Sequence, residues 1–196
     1  TPLGEELCRL GRAAGYEMTH LSEVGGPSES APWTAGVRWE QGTLDSPSGW
    51  GELLDEHAAA IMIVAERGGE VREAGEQPWG GILEACASAG VRRCVLALPD
   101  DRQRSPGGRT LGEQLLARAE AFSEAAICAH LPPIDPAAAP VEETPESTGD
   151  ADGCPAVPVG QAAMALLRLA VEEPPDGGGL VECQEVTQLG HAVMIQ

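Results

Sequence analysis

The side chains able to do chemistry are unevenly supplied along this chain. Histidine occurs at His20, His57, His130 and His191, and cysteine at Cys8, Cys86, Cys94, Cys128, Cys154 and Cys183. No two histidines have the spacing of a metal-ligating pair and no C-x-x-C occurs, so a metal site is not expected. Most of the cysteines lie inside apolar stretches such as ILEACASAG and RRCVLAL, where a free thiol behaves as a small hydrophobe. A disulfide framework is not expected either. No G-x-S-x-G or similar nucleophile motif is present. Carboxylates number 31, so neighbouring pairs in GWGELLD or PDDRQR are expected by chance. The twelve bases are all arginine, and Tyr16 is the one tyrosine. A tyrosine acid with a lysine partner therefore cannot be assembled from these residues. His57 and His130 are left as candidate general bases, and His130, close to Pro132 and Pro133, more often has a structural role.

The elements that would position these groups alternate. Leu7, Leu10 and Ala14 recur on one helical face across 4–14, and Gly15 follows as a helix stop. YEMTHLS, GVRWEQG and AAAIMIVAE then read as strands. WGGILEACASAG reads as a helix ending at Gly90, VRRCVLALP as a strand, TLGEQLLARAEA as a helix and EAAICAHLP as a strand. VGQAAMALLRLAVEE is a further helix and GLVECQEV a closing strand. Continuous apolar strands separated by helices predict an α/β fold with a doubly wound, mostly parallel sheet. Residues 132–158 are rich in proline and acids, lack periodicity, and are expected to form a long surface loop within a single domain spanning 1–196.

Composition narrows the partners. The net charge of −19 repels phosphate backbones and anionic headgroups, so no nucleic acid is expected. No apolar run is long enough to span a bilayer and no signal peptide opens the chain, so no direct membrane insertion is expected. The acidity serves solubility or meets a basic protein partner.

The ordered set of segments resembles the atypical short-chain dehydrogenase/reductase family. LGEELCRLGRAAGYEMTHLS is similar to its first helix and second strand, and GVRWEQGTLDSPSGWGELL to its third strand and the short helix that follows. AGVRRCVLAL resembles its fifth strand, and GRTLGEQLLARAEAFSEAAICAHLPPI its active-site helix and sixth strand. By pattern the nearest relatives are the nucleotide-binding accessory subunit of respiratory complex I and, next, NmrA-like redox sensors. The resemblance implies a Rossmann-type dinucleotide-binding fold.

It also implies where a cofactor would lie, and several positions depart from the pattern. Gly4 takes the place of the third glycine of G-x-x-G-x-x-G, with the first strand and earlier glycines outside the chain. Ser22 and Glu23 stand where the family has Ser-Arg. Glu23 would repel a 2′-phosphate but could accept a ribose hydroxyl, so NAD is conceivable and NADP is disfavoured. Thr43 replaces the aspartate of G-D-L, and Ala65-Glu66 replaces a small Ala-Gly pair. Ser105 and Arg109 fall on the family's catalytic tyrosine and lysine. The expectation is thus a pseudo-enzyme with no catalytic residues, a vestigial cofactor site at Gly4, Ser22 and Glu23, and no retained cofactor. Its role would be that of an accessory or scaffold subunit among protein partners, in a respiratory or photosynthetic membrane complex of an organelle (mitochondrion or plastid). Trp33, Trp50 and Trp79 are the candidate interface aromatics, with Trp39 assigned to a strand. The alternatives are an NAD(P)-binding sensor and an oxidoreductase with an atypical site.

Overall fold

The computed structural model describes residues 1–22, 24–42, 50–55, 57–63, 79–99, 111–120, 125–135, 156–172 and 179–191. Helix α1 (Pro2–Ala13) is set by its ends: the Thr1 hydroxyl accepts from the Gly4 N–H at 3.2 Å, Pro2 opens the first turn, and Glu5 and Arg12 complement the helix dipole. Gly15, at φ +89°, turns the chain into β1 (Met18–Ser22). A short 3-10 turn (Pro32–Gly36) leads into β2 (Val37–Gln41), which pairs parallel with β1 from Met18↔Val37 to Ser22↔Gln41.

A second, four-stranded sheet follows the order β3-β4-β5-β8, again all parallel. Its strands are β3 (Ala59–Ile63), β4 (Arg93–Pro99), β5 (Ala125–Leu131) and β8 (Gly179–Val181), the last defined after two short strands described below. The intervening helices are α2 (Gly51–Leu54), α3 (Trp79–Ser88), α4 (Leu111–Ala119) and α5 (Val159–Val171), and α6 (Cys183–His191) closes the described chain.

Both faces of the second sheet are covered, which is why its strands are apolar throughout. Val95, Ala97, Ile127 and Ala129 face Leu3 and Leu7 of α1, Leu166 of α5 and Val186 of α6. Cys94, Leu96, Leu98 and Cys128 join Trp50, Leu83, Cys86 and Leu115 on the opposite side. This is the doubly wound α/β arrangement that the alternation of elements predicts.

Two local differences from the sequence reading have clear causes. The closing strand stops at Val181, and Cys183–His191 is helical. Cys183, Val186 and Gly190 form its buried face at helical spacing, while the Glu185 carboxylate reaches back to the Glu182 N–H at 2.9 Å. Cys183 is disulfide-bonded, so the cysteines are not all free thiols. At the edges of the proline-rich segment, β6 (Ile134–Asp135) and β7 (Val157–Pro158) pair parallel, fixing the two ends together, and 136–155 lie outside the described residues.

Among the described residues, the sheet is interrupted between β1 and β3. No backbone pairing joins them, yet the layers on either side are continuous. Leu3 and Leu7 share a cluster with Ile61 and Ile63, and Leu21 of β1 shares one with Ala60, Met62 and Trp50.

Candidate functional site

In an open parallel α/β sheet, ligands lie outside the carboxyl ends of the strands, against a helix N-terminus. Here that region is built from the start of α1, the end of β1 and the turn after it. Gly4 is buried, and a Cβ at that position would lie 3.0 Å from His20 Nε2 and 3.2 Å from Thr1 Oγ1. The missing side chain lets α1 sit close to β1, and a Cβ there would press on the His20 ring.

Ser22 ends β1. Its hydroxyl accepts from the Gly25 N–H at 3.2 Å and its carbonyl from the Gly42 N–H at 3.1 Å, so the turn is anchored on both strands. Gly25, at φ +62°, passes so close to Gln41 that a Cβ would lie 2.5 Å from the Gln41 Cβ. Beyond it, Ser28 donates to Glu5 from both its N–H (3.1 Å) and its hydroxyl (2.5 Å), tying this turn to the first turn of α1. The structure therefore brings Gly4 and Ser22 to one end of the fold; Glu23 lies outside the described residues.

A cleft of about 410 Å³ opens beside this turn, lined by Thr1, Pro2, Glu5, Glu6, Ser28, Trp33 and Val159. Glu6 is engaged by Arg9 through two contacts of 2.6 and 2.7 Å, and Glu5 by Ser28. Both carboxylates lie in the first turns of α1 and are already engaged by these neighbours.

Three aromatic rings lie behind the cleft. Trp33 and Trp39 are 6.1 Å apart between centroids, and Trp39 and His20 are 4.9 Å apart. The Trp39 indole N–H donates to the Thr34 carbonyl at 3.0 Å, holding the central ring of this tilted cluster in place. Burial lowers the His20 pKa, and Glu5 acts against it. The Nδ1 atoms of His20 and His57 are buried without a hydrogen-bond partner, while His57 Nε2 meets the Thr19 hydroxyl at 2.9 Å.

The other candidates fare as follows. His130 is buried within β5. Trp50 is in the core at 7% exposure, so it is not an interface residue; its apolar ring closes the cluster under α2 and α3. Trp33 lines the cleft, and the Trp79 side chain lies outside the description. Thr43, Glu66, Ser105 and Arg109 are also outside the described residues. The buried thiols are poor nucleophiles. Burial with Glu5 pushes Cys8 up to about 11, burial with Glu182 pushes Cys128 up to about 12, and hydrogen bonding to Cys94 with burial raises Cys86. Among the described residues no cluster of His, Cys, Asp and Glu could hold a metal ion, and no helix is long and apolar enough to cross a membrane.

The sequence reading missed the Glu5–Ser28 clasp and the tilted His20–Trp39–Trp33 ring cluster. The only local signal was Gly25-Gly26, which marks a turn after β1.

Solved structures share this arrangement. MoeE5 in complex with UDP-glucuronic acid and NAD is similar with a TM-score of 0.61 at 20% identity, over 92% of this chain and 72% of that one. The fold is Rossmann-like. A UDP-glucose 4-epimerase from Brucella ovis in complex with NAD also has a TM-score of 0.61, at 14% identity over 95% of this chain and 78% of its own. A UDP-N-acetylglucosamine 4-epimerase from Bacillus cereus follows with 0.57, at 14% identity over the same shares, 95% and 78%. No family model matches the sequence, and no curated protein matches it significantly. None of these three Rossmann-like neighbours is described as a respiratory-complex subunit or an NmrA-like sensor.

These neighbours correct the expectation of a pseudo-enzyme. Two are epimerases, and they share the fold over most of this chain. The case against catalysis rested on the lack of any lysine, on Tyr16 as the one tyrosine, and on an alignment of Ser105 and Arg109, positions outside the described residues; catalytic roles are fixed by geometry rather than by motif spacing. The expected absence of a cofactor is likewise set aside as a working premise, because two of the neighbours contain NAD.

Proposed function

We propose that this chain is an NAD(H)-binding domain, with the dinucleotide lying across the carboxyl ends of the parallel strands and its pyrophosphate near the start of α1. The observation that carries this reading is the close seating of α1 on β1 at Gly4, which sets the helix N-terminus beside the Ser22 turn within an all-parallel sheet. Ser22, with Glu23 following it in sequence, is placed to receive the adenosine ribose. NADP(H) is the poorer ligand because Glu23 follows Ser22 in sequence, where the resemblance expects an arginine to pair with a 2′-phosphate. The sugar nucleotides named with the neighbours make a nucleotide-linked sugar the substrate class to try first. The charge of −19 supports a further part of the reading, that the domain works against a basic protein partner in a larger assembly.

Titration of NADH fluorescence tests the reading. The expected result is saturable enhancement, competed by NAD and weaker with NADPH, and reduced about tenfold in affinity by Gly4→Val. Absence of any saturable signal with NADH overturns it. Adding UDP-glucose or UDP-glucuronic acid to the NAD complex and following absorbance at the reduced nicotinamide band then tests the substrate class.

A further inference from the structure

A reaction at the carboxyl ends of these strands needs a group that moves a proton. The chain contains no lysine, and its one tyrosine, Tyr16, precedes β1 and so lies at the amino end of the sheet. β5 supplies a different group. His130 pairs in register with Leu98, one residue before β4 and β5 both end. Side chains alternate along a strand. Ile127, Ala129 and Leu131 face α1, α5 and α6, whereas Ala126 and Cys128 pack with Leu83 of α3 and Leu115 of α4. His130 therefore projects on the α3–α4 side, in line with Cys128 and beside Leu98. Helix α4 carries the chain from the carboxyl end of β4 back to the amino end of β5, so it starts at the end where His130 stands. Among the described residues at the carboxyl ends of β3 (61–63), β4 (97–99) and β5 (129–131), His130 is the one titratable side chain. It is 6% exposed on an otherwise apolar face. Burying a polar ring there costs free energy that a leucine would not, so packing gives no reason for it.

We infer that His130 is the proton-transfer residue of the site, acting on a secondary hydroxyl of a nucleotide-linked sugar. The inference rests on the nucleotide reading above: with the pyrophosphate at the start of α1 and the adenosine on the Ser22 side, the nicotinamide half falls to the ends of β3, β4 and β5. NAD, when bound, supplies the hydride acceptor. One ring nitrogen of His130 takes the hydroxyl proton while the C–H bond of the same carbon breaks, and its electron pair leaves as hydride to reduce the bound NAD. The alcohol is thereby oxidised to a carbonyl, and His130 holds the proton as imidazolium. Return of the hydride to the opposite face, with the proton handed back by His130, inverts the carbon. An imidazole can do this without a second residue, because one nitrogen accepts while the other keeps its own proton.

Two measurements test this. The imidazole signals of His130, assigned through the β5 backbone, are followed by NMR as NADH and then UDP-glucose are added, with His57, beside Thr19 at the amino end of β3, as internal control. The expected result is a shift of the His130 signals and none at His57. Turnover of UDP-glucose and UDP-glucuronic acid with NAD, read as NADH or as epimerised sugar, is then compared between the parent and His130→Gln. The variant should lose about 100-fold in rate while its NADH affinity stays within about twofold of the parent. Free imidazole added to His130→Ala should restore part of the rate. An unmoved His130 signal in a protein that binds NADH overturns the proposal and leaves the nucleotide reading standing, whereas absence of NADH binding overturns both. No turnover by the parent, or His130→Gln at the parent's rate, also overturns the proposal, and the NMR readout on the parent decides if the variants do not fold.

Discussion

At the residue scale, His20 sits between Gly4, Trp39 and the start of α1, and its pKa is lowered chiefly by burial. A histidine whose folded pKa is below its unfolded value of about 6.5 binds fewer protons in the folded state. Stability from this group is therefore fully present above about pH 6.5 and is lost as pH falls through the folded pKa. His20→Gln should flatten the fall in Tm between about pH 7.5 and 5.5 relative to the parent; an unchanged slope would contradict it. Gly4→Ala should destabilise by about 1–2 kcal/mol in urea unfolding, because its Cβ would press on the His20 ring packed against Trp39. Gly11→Ala should cost less, although its Cβ would approach Met18 Sδ to 2.5 Å, because a thioether end can swing aside. Gly4 and Ser22 were legible in the sequence because their types and spacing match a known turn and strand end. The Glu5–Ser28 clasp was not, since its partners are 23 residues apart and no local period links them.

At the element scale, strands β3, β4 and β5 and helix α5 were readable from continuous apolar runs bounded by Gly, Pro and polar residues. Helix α6 was not. Its buried face uses Cys183, Val186 and Gly190, and a cysteine and a glycine are weak markers of an apolar stripe. Gly190 meets α5 so closely that a Cβ would lie 2.6 Å from the Gln161 carbonyl oxygen, a backbone atom. Gly190→Ala should therefore cost about 2–3 kcal/mol, more than Gly4→Ala, measured by the same urea unfolding. An α6 that packs loosely would show no such ranking. The interruption between β1 and β3 falls where the strand order of a Rossmann-like sheet puts its first strand, which the resemblance sets outside the given residues.

At the scale of the whole molecule, the parallel sheets, the helices that cover them and a strongly acidic sequence must coexist. Self-repulsion at a charge of −19 opposes compaction, and salt screens it over a Debye length of about 10 Å at 0.1 M. Tm should rise between low salt and about 0.5 M sodium chloride, and a fall would show that attractive ion pairs such as Arg168–Glu172 dominate instead. In the proposed reading, the acid that follows Ser22 sets the preference against a 2′-phosphate. Thermal unfolding with each of NAD, NADH, NADP and NADPH tests that account most directly. A ligand at about 100 times its Kd stabilises the folded state by about 2.7 kcal/mol, so binding must raise the midpoint. The account predicts a clear rise with NAD or NADH and a smaller one with the phosphorylated pair. No rise with NAD or NADH, or an equal rise with NADP or NADPH, would contradict it.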